Sequence, residues 1–297
     1  MICVFRKRFR IMLPFIFILC LSLLSGAAAE SVSYSLPVDF SVGPKPDPAY
    51  RISGTEYLDP SLHVTVETGT YAGNTYWLAR ITVADASQLR TYAPRDFRSL
   101  SEYPALFLAK KANAVLAVNG DFIAYTENGF CLRQGKMIVN HPTGKQDLLL
   151  IDKKGDFYPL PMATADDIDA AMEQHDAVNI LCFGPILAEN GQPLYNRTYG
   201  DHYGADSEKQ RMAIAQTGPL EYIVVCLGHH TRGSRGMTLW EFADFMASFD
   251  PIVAYNLDGG DSTALIFMGE RVNDADCDYY RDISDIVYFA TAVVPEE

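Results

Sequence analysis

Basic charge is what this chain has little of: 24 Lys+Arg stand against 37 Asp+Glu, a formal net charge of -13 over 297 residues. A general nucleic-acid binder and a polybasic membrane-surface binder both need a cationic excess, so both classes are excluded as partners. Metal-type spacing is also missing, since no CxxC and no HxxxH occurs among six Cys and six His. There is no internal repeat and no low-complexity tract. No apolar run reaches the roughly 20 residues that a spanning helix needs. What is there, at 48% hydrophobic and 21% charged residues, is an ordinary globular composition that can build a sizeable core.

The N-terminus has the three parts of a secretory signal: Arg6, Lys7, Arg8 and Arg10, then an apolar run from Ile11 to Leu24 interrupted by Pro14, then Ala27-Ala28-Ala29. Cleavage is expected before Glu30, with residues 1–29 as signal; a retained segment would be the chain's one route to a membrane. Cys20 follows Leu19 rather than a small residue, which argues against a lipoprotein. Removal takes away four basic residues and no acidic one, leaving 20 against 37 and a charge of -17 on 268 residues, and places the protein outside the cytoplasm. Acidity of that size keeps an exported protein soluble. Cys131, Cys182, Cys226 and Cys277 remain, an even number with three possible pairings in a compartment where disulfides persist.

Residues 30–95 read as a Pro-containing extended lead-in (Pro37, Pro44, Pro46, Pro48) followed by first strands, and residues 96–297 as the catalytic domain. Short β-type runs recur at Leu62–Glu67, Tyr76–Ala84, Ala114–Val118, Leu148–Ile151, Val178–Phe183, Met212–Gln216, Tyr222–Leu227, Ile252–Leu257, Ala264–Phe267 and Ile286–Val294. Three helices are interleaved. One opens at the capping box Thr238-Leu-Trp-Glu241; a second opens at Thr164 with Asp167 and covers Ala165–Val178; a third covers about Leu100–Ala112. The expectation is an α+β fold: a mixed, largely antiparallel twisted sheet with about three helices.

Two segments share one grammar of apolar strand, Asn, Gly and Asp. In Asn256-Leu-Asp258-Gly259-Gly260-Asp261-Ser262-Thr263 the glycine amides can form an anion-cradling nest, with the Ser262 and Thr263 hydroxyls as further donors. In Asn119-Gly120-Asp121-Phe122 the pattern recurs. Two strand ends that each offer a carboxylate and an amide suit hydrolysis at an anomeric carbon. In isolation a glycine-supported hairpin is the stronger reading of each. Arg211, before Met212-Ala-Ile-Ala-Gln216, and Arg281, before Asp282-Ile-Ser284, are the cations that could meet a phosphate. The Gly- and cation-rich loop Gly228-His229-His230-Thr-Arg232-Gly-Ser234 leads into the Thr238 helix and attracts anions there. Asp274-Ala-Asp276-Cys-Asp278, with Asp285 twelfth, has part of a calcium-loop pattern but Tyr279 where the Gly belongs. A divalent cation is therefore carried without assigned ligands, and no other cofactor is called for.

Taken together, these segments resemble the phosphodiester glycosidase family. Asn119-Gly120-Asp121-Phe122 is similar to its N-G-[GD]-[FY]-[FY], and Phe183-Gly184-Pro185 with Asn190-Gly191 to its G-P-x-L and N-G. Arg211-Met-Ala-Ile214 is similar to P-R-[ST]-A-[IV]-G, and Ser234-Arg-Gly-Met-Thr238-Leu-Trp-Glu241 to S-x-G-[ML]-[ST]-L-x-E. Asn256 to Thr263 is similar to N-L-D-G-G-[GD]-S-[TS], and Arg281-Asp-Ile-Ser284 to R-x-[VI]-[SA]. The departures are Gln210 for Pro, Ala215 for Gly, Ile123 for the second aromatic, and Leu227-Gly228-His229 where the family often has Asp-Gly-Arg.

The resemblance implies hydrolysis of the anomeric C–O bond of a sugar-1-phosphodiester, of the N-acetylglucosamine-1-phosphodiester kind, in an envelope or extracellular glycan. On that reading Asp121 and Asp258 are the catalytic carboxylates. Arg211, Arg281 and the Gly259-Gly260 amides hold phosphate, Ser262 and Thr263 donate beside them, and Asn119, next to Gly120, and Asn256 bind sugar hydroxyls. Tyr125, Tyr199, Tyr203 and Tyr255 are candidates for stacking on a sugar ring, with Asp201 and His202 at the entrance. The competing readings are a phosphoglycan-binding protein without turnover and a phosphodiesterase that cuts the P–O bond.

Overall fold

Met212-Ala-Ile-Ala-Gln216 alternates large and small apolar side chains, and the alternation decides what packs on each face of its strand. Met212 and Ile214 enter one core with Tyr222, Val224, Val253, Tyr255 and Leu257. Ala213 and Ala215 enter another, against Leu239, Phe242, Ala243 and Met246 of a helix. Small residues on the helix side let the helix backbone approach the sheet.

The computed structural model describes residues 33–98, 101–123, 129–194, 204–228, 234–273 and 280–295. The expected signal segment lies outside the described residues. Residues Tyr34–Glu297 form one compact unit.

Among the described residues there are three sheets, and every strand pairing in them is antiparallel. The largest has nine strands: β1 (Arg51–Ser53), β2 (Glu56–Leu58), β3 (Leu62–Tyr71), β4 (Asn74–Val83), β15 (Glu221–Leu227), β14 (Met212–Gly218), β16 (Val253–Leu257), β12 (Ile186–Glu189) and β13 (Gln192–Pro193), in that spatial order. The second runs β10 (Phe157–Leu160), β9 (Leu148–Asp152), β11 (Ala177–Leu181), β7 (Gly129–Arg133), β8 (Lys136–His141). The third runs β18 (Glu270–Arg271), β17 (Leu265–Phe267), β6 (Leu116–Asn119), β19 (Ile286–Phe289), β5 (Leu89–Tyr92).

The inner faces of all three share one core, where Ile214 and Tyr255 cluster with Leu149 and Leu181 of the second sheet and Val118 and Phe289 of the third. Each sheet carries one helix on its other face. Helix α3 (Leu239–Ala247) covers the first, α2 (Ala165–Gln174) the second through Ile168 and Ala171, and α1 (Ala105–Lys111) the third through Leu108 and Ala109. The capping boxes at Thr238 and Thr164 both form. Helix α2 stops at Gln174, short of the expected Val178, because His175 already has extended backbone and the chain turns into β11. The architecture is the expected α+β fold, with the sheet divided in three.

The lead-in is tied down by one buried cation. Arg90, 1% exposed, donates to the carbonyls of Pro37, Asp39, Ser41 and Ser87. A guanidinium's planar fork of donors can hold a strand-like segment that has no ladder of its own.

Candidate active site

The ends of β6 and β16 meet where the third sheet abuts the first. Asn119 closes β6, and its side chain joins the two loops: Nδ2 donates to the Asp258 carbonyl at 2.7 Å and Oδ1 accepts from the Ala264 amide at 3.0 Å. The segment after Asp258 is a crossover between sheets rather than the hairpin that an isolated Asp-Gly suggests. Gly259 has no Cβ because one would meet the Gln210 carbonyl at 2.7 Å, and Gly260 sits at φ +58, in the left-handed region.

Beneath these loops lies a buried cluster of charge. Arg133, at the end of β7 and 0% exposed, donates from Nη2 to Asp121 at 2.6 Å and to Asp285 at 3.2 Å, and from Nε to Asp285 at 3.3 Å. Asp121 also accepts from the amides of Cys182 at 2.8 Å and Phe183 at 3.1 Å, so both its oxygens are occupied. Asp285 uses Oδ2 on Arg133, while its buried Oδ1 has no hydrogen-bond partner. Burial pushes the Asp285 carboxyl up to about 7 against the pull of Arg133, and Asp121 and Asp258 add to the rise. Burial likewise raises Asp258 to about 6, opposed by the Ser262 hydroxyl, the Gly259 amide and Arg281. Carboxyl groups packed around a single guanidinium resist full ionisation, because each additional negative charge lacks a counter-ion.

A small recess opens onto this cluster. It is lined by Asn119, Gly120, Asp121, Asp258, Ser262 and Arg281, together with Glu102, Phe122 and residues 282–284, and encloses about 10 Å³. That is room for about one water. Asp121 and Asp258, the two expected carboxylates, are thus brought together, and Arg281 reaches the same recess with a partly exposed side chain 3.8 Å from Asp261.

Several expected ligand contacts are instead spent on the fold. Arg211 does not line the recess: Nε donates to the Met237 carbonyl and Nη2 to those of Gly204 and Ser207. Burial lowers its pKa to about 10. The Gly259 amide donates to the Asp258 carboxylate and the Gly260 amide to the Gln210 carbonyl, so neither forms an open nest. Asn119 is saturated by backbone, and Asn256 donates to the Gly184 carbonyl at 2.7 Å, leaving only its Oδ1 unpartnered. Thr263 is 2% exposed and lies outside the recess, its carbonyl accepting from Arg271 and Asn273. Tyr255 is a core residue whose hydroxyl donates to the carbonyls of Asp147 and Leu181, so it offers no ring to a sugar. Asp285 is buried against Arg133 and is not available as a calcium-loop ligand. The other calcium-loop acids, Cys277, the His229-His230 pair with Arg232, Tyr125, Tyr199, Tyr203, Asp201 and His202 lie outside the described residues.

Arg133 and Asp285 were not singled out as site residues from the sequence. Arg133 ends the apolar run Gly129-Phe-Cys-Leu and precedes a Gln-Gly turn, which reads as a solvated strand end. Its exclusion from solvent depends on partners 152 residues away.

Three sheets joined through one core, with two Asn-to-Asp strand ends set over a buried arginine, define the class: the chain belongs to the phosphodiester glycosidase family, whose profile matches residues 112–290. Among solved structures it is similar to the catalytic domain of zebrafish N-acetylglucosamine-1-phosphodiester alpha-N-acetylglucosaminidase, which is auto-inhibited by its pro-peptide, at 18% identity and TM-score 0.61, covering 84% of this chain and 87% of that one. It is also similar to a hypothetical protein from Synechocystis, at 15% identity and TM-score 0.53, covering 77% of this chain and 62% of that one. These likenesses are of fold. A search of curated proteins finds no match in sequence.

Proposed function

We propose that this protein is an exported hydrolase that cleaves the anomeric C–O bond of a sugar-1-phosphodiester, releasing free sugar and a phosphomonoester. The observation that carries the reading is Asp258. It lines the recess together with Arg281, and burial holds its pKa near 6, between the usual carboxylate range and neutrality. Family membership supplies the reaction class. The N-terminal basic, apolar and small-residue pattern supports export.

In this mechanism the C–O bond breaks with its electron pair passing to the phosphate oxygen. A phosphomonoester leaves readily, so little is asked of a general acid. Arg281 stabilises the departing charge, and a water at the anomeric carbon gives its proton to the Asp258 carboxylate. Asp121 orients the site from below, held by Arg133 and the two amides. The carbon takes on positive character, which the surrounding negative charge favours.

The substrate class proposed is an N-acetylglucosamine-1-phosphodiester-like linkage in an envelope or extracellular glycan. The purified protein is incubated with a model α-N-acetylglucosamine-1-phosphodiester, in water labelled with heavy oxygen, with and without chelator, and followed by NMR and mass spectrometry. Label in the released sugar supports the proposal. Label in phosphate marks P–O cleavage instead, and intact substrate with ligand-induced shifts marks a binder; either outcome overturns it. The chelator arm reports whether a divalent cation is needed.

A further inference from the structure

Directly behind Asp121 lie two thiols. The Sγ atoms of Cys131, on β7, and Cys182, just after β11, lie with an Asp121 oxygen within 4.8 Å of one another. Both are buried, at 0% and 3% exposed. Their strands are neighbours, with Ile180 opposite Leu132. In a regular antiparallel pair, Cys131 and Cys182 would then stand on opposite faces. Cys182, however, lies one residue past the end of β11, outside the paired ladder, so that alternation does not fix where its side chain goes.

The donor set of two thiols and a carboxylate resembles a soft-metal site, but the carboxylate is fully engaged. Asp121 accepts from Arg133 and from two amides, and a cation bound there would sit against a guanidinium. The pair fits a covalent bond between the sulfurs better than an ion.

We propose that Cys131 and Cys182 form a disulfide that fastens the floor of the active site. One strand it joins carries Arg133; the other leads into the Cys182 and Phe183 amides that hold Asp121. The bond closes a loop that contains the end of β7 and all of β8, β9, β10 and β11. It forms by exchange with a donor disulfide such as oxidised glutathione. One cysteine thiolate attacks the donor to give a mixed disulfide and one reduced thiol. The second cysteine then displaces the other thiol, so the two electrons and two protons end on the donor. Burial of both sulfurs requires that this happen before the sheet closes, and afterwards shields the bond from reductant. Of the three pairings open to Cys131, Cys182, Cys226 and Cys277, this one leaves Cys226, itself buried as a free thiol, to Cys277 or unpaired.

The test uses protein produced through an oxidising secretory route, unfolded in iodoacetamide, digested without reductant and mapped by mass spectrometry. The expected result is a linked peptide pair joining Cys131 to Cys182, with neither residue alkylated. Alkylation of either residue, or a link from either to Cys226 or Cys277, overturns the proposal. A thermal measurement bears on the same point without requiring turnover. Protein refolded with a glutathione redox mixture should melt about 5–10 °C above protein refolded in reductant. In Cys131→Ala that difference should shrink to whatever a Cys226–Cys277 bond supplies; an undiminished difference in the variant would also overturn the proposal. Because neither readout uses substrate, failure here is separable from failure of the glycosidase reading.

Discussion

The carboxyl group of Asp285 lies against the α-carbon of Gly120 so closely that a methyl group on Gly120 would stand 2.6 Å from the carboxyl carbon and from both its oxygens. The glycine of the Asn-Gly-Asp segment is thus required by a close approach from β19, and the Gly120 amide donates to the Asp285 carbonyl at 3.0 Å. Gly120→Ala should force that carboxyl off Arg133 and destabilise the protein by about 1–3 kcal/mol, as overpacking in a closed core does. Urea unfolding of the variant checks it; an unchanged midpoint would contradict the contact.

Asp258→Asn keeps the shape of the side chain and removes its titration. Turnover should be abolished while the melting temperature stays nearly unchanged, and unaltered turnover would remove Asp258 from the mechanism. The wild-type rate should rise with pH through about 6 as the carboxylate forms.

The raised carboxyls also set a pH dependence of stability. Asp258 and Asp285 have ordinary values near 3.8 and folded values of about 6 and about 7, so between these limits the folded state binds more protons than the unfolded one. Stability from these groups is therefore fully present below about pH 4 and is lost as pH rises to about 7. For the partly exposed Asp258 the loss is about 2–3 kcal/mol. Denaturation from pH 4 to 8 should show a downward trend that is shallower in Asp258→Asn and in Asp285→Asn; equal slopes in all three proteins would contradict the assignment.

Arg133→Met replaces the buried guanidinium by an apolar chain of similar length and leaves Asp121 and Asp285 without their cation. The expected loss is about 3–5 kcal/mol at neutral pH. It should shrink at pH 5, where Asp285 can hold a proton instead. Denaturant midpoints at the two pH values measure this, and a loss independent of pH would mean that packing rather than charge is at stake.

The two expected phosphate arginines should separate. Arg281 has a partly exposed side chain at the recess, so Arg281→Ala should raise KM at least tenfold with little change in melting temperature. Arg211→Ala removes the donor for three backbone carbonyls and should lower stability by about 2 kcal/mol or more. Paired kinetic and thermal measurements distinguish the two, and the reverse pattern would restore Arg211 as the phosphate ligand.

The sequence by itself determined the elements whose cause is local. The helix starts at Thr164 and Thr238 could be read because a capping box is complete within four residues. The strands around Met212 and Tyr222 could be read because alternation and β-branched content act at short range. The Asn256–Thr263 and Asn119–Phe122 segments stood out for their glycines. In both, tertiary contact with Gln210 and with Asp285 explains why glycine is needed. Only the tertiary structure decided what the polar groups of those segments are used for. Asn119, Asn256, Arg211 and the glycine amides are ordinary ligand donors in one dimension. In the fold the two Asn side chains, Arg211 and the Gly260 amide donate to backbone carbonyls, and the Gly259 amide donates to the Asp258 carboxylate. The charge balance of the site rests on Arg133 and Asp285; no local pattern marks Arg133, and the partial calcium-loop spacing that includes Asp285 points to a different role. A buried ion pair is a property of two distant residues and of the water excluded between them, and that exclusion exists only once the chain around Arg133 and Asp285 has folded together.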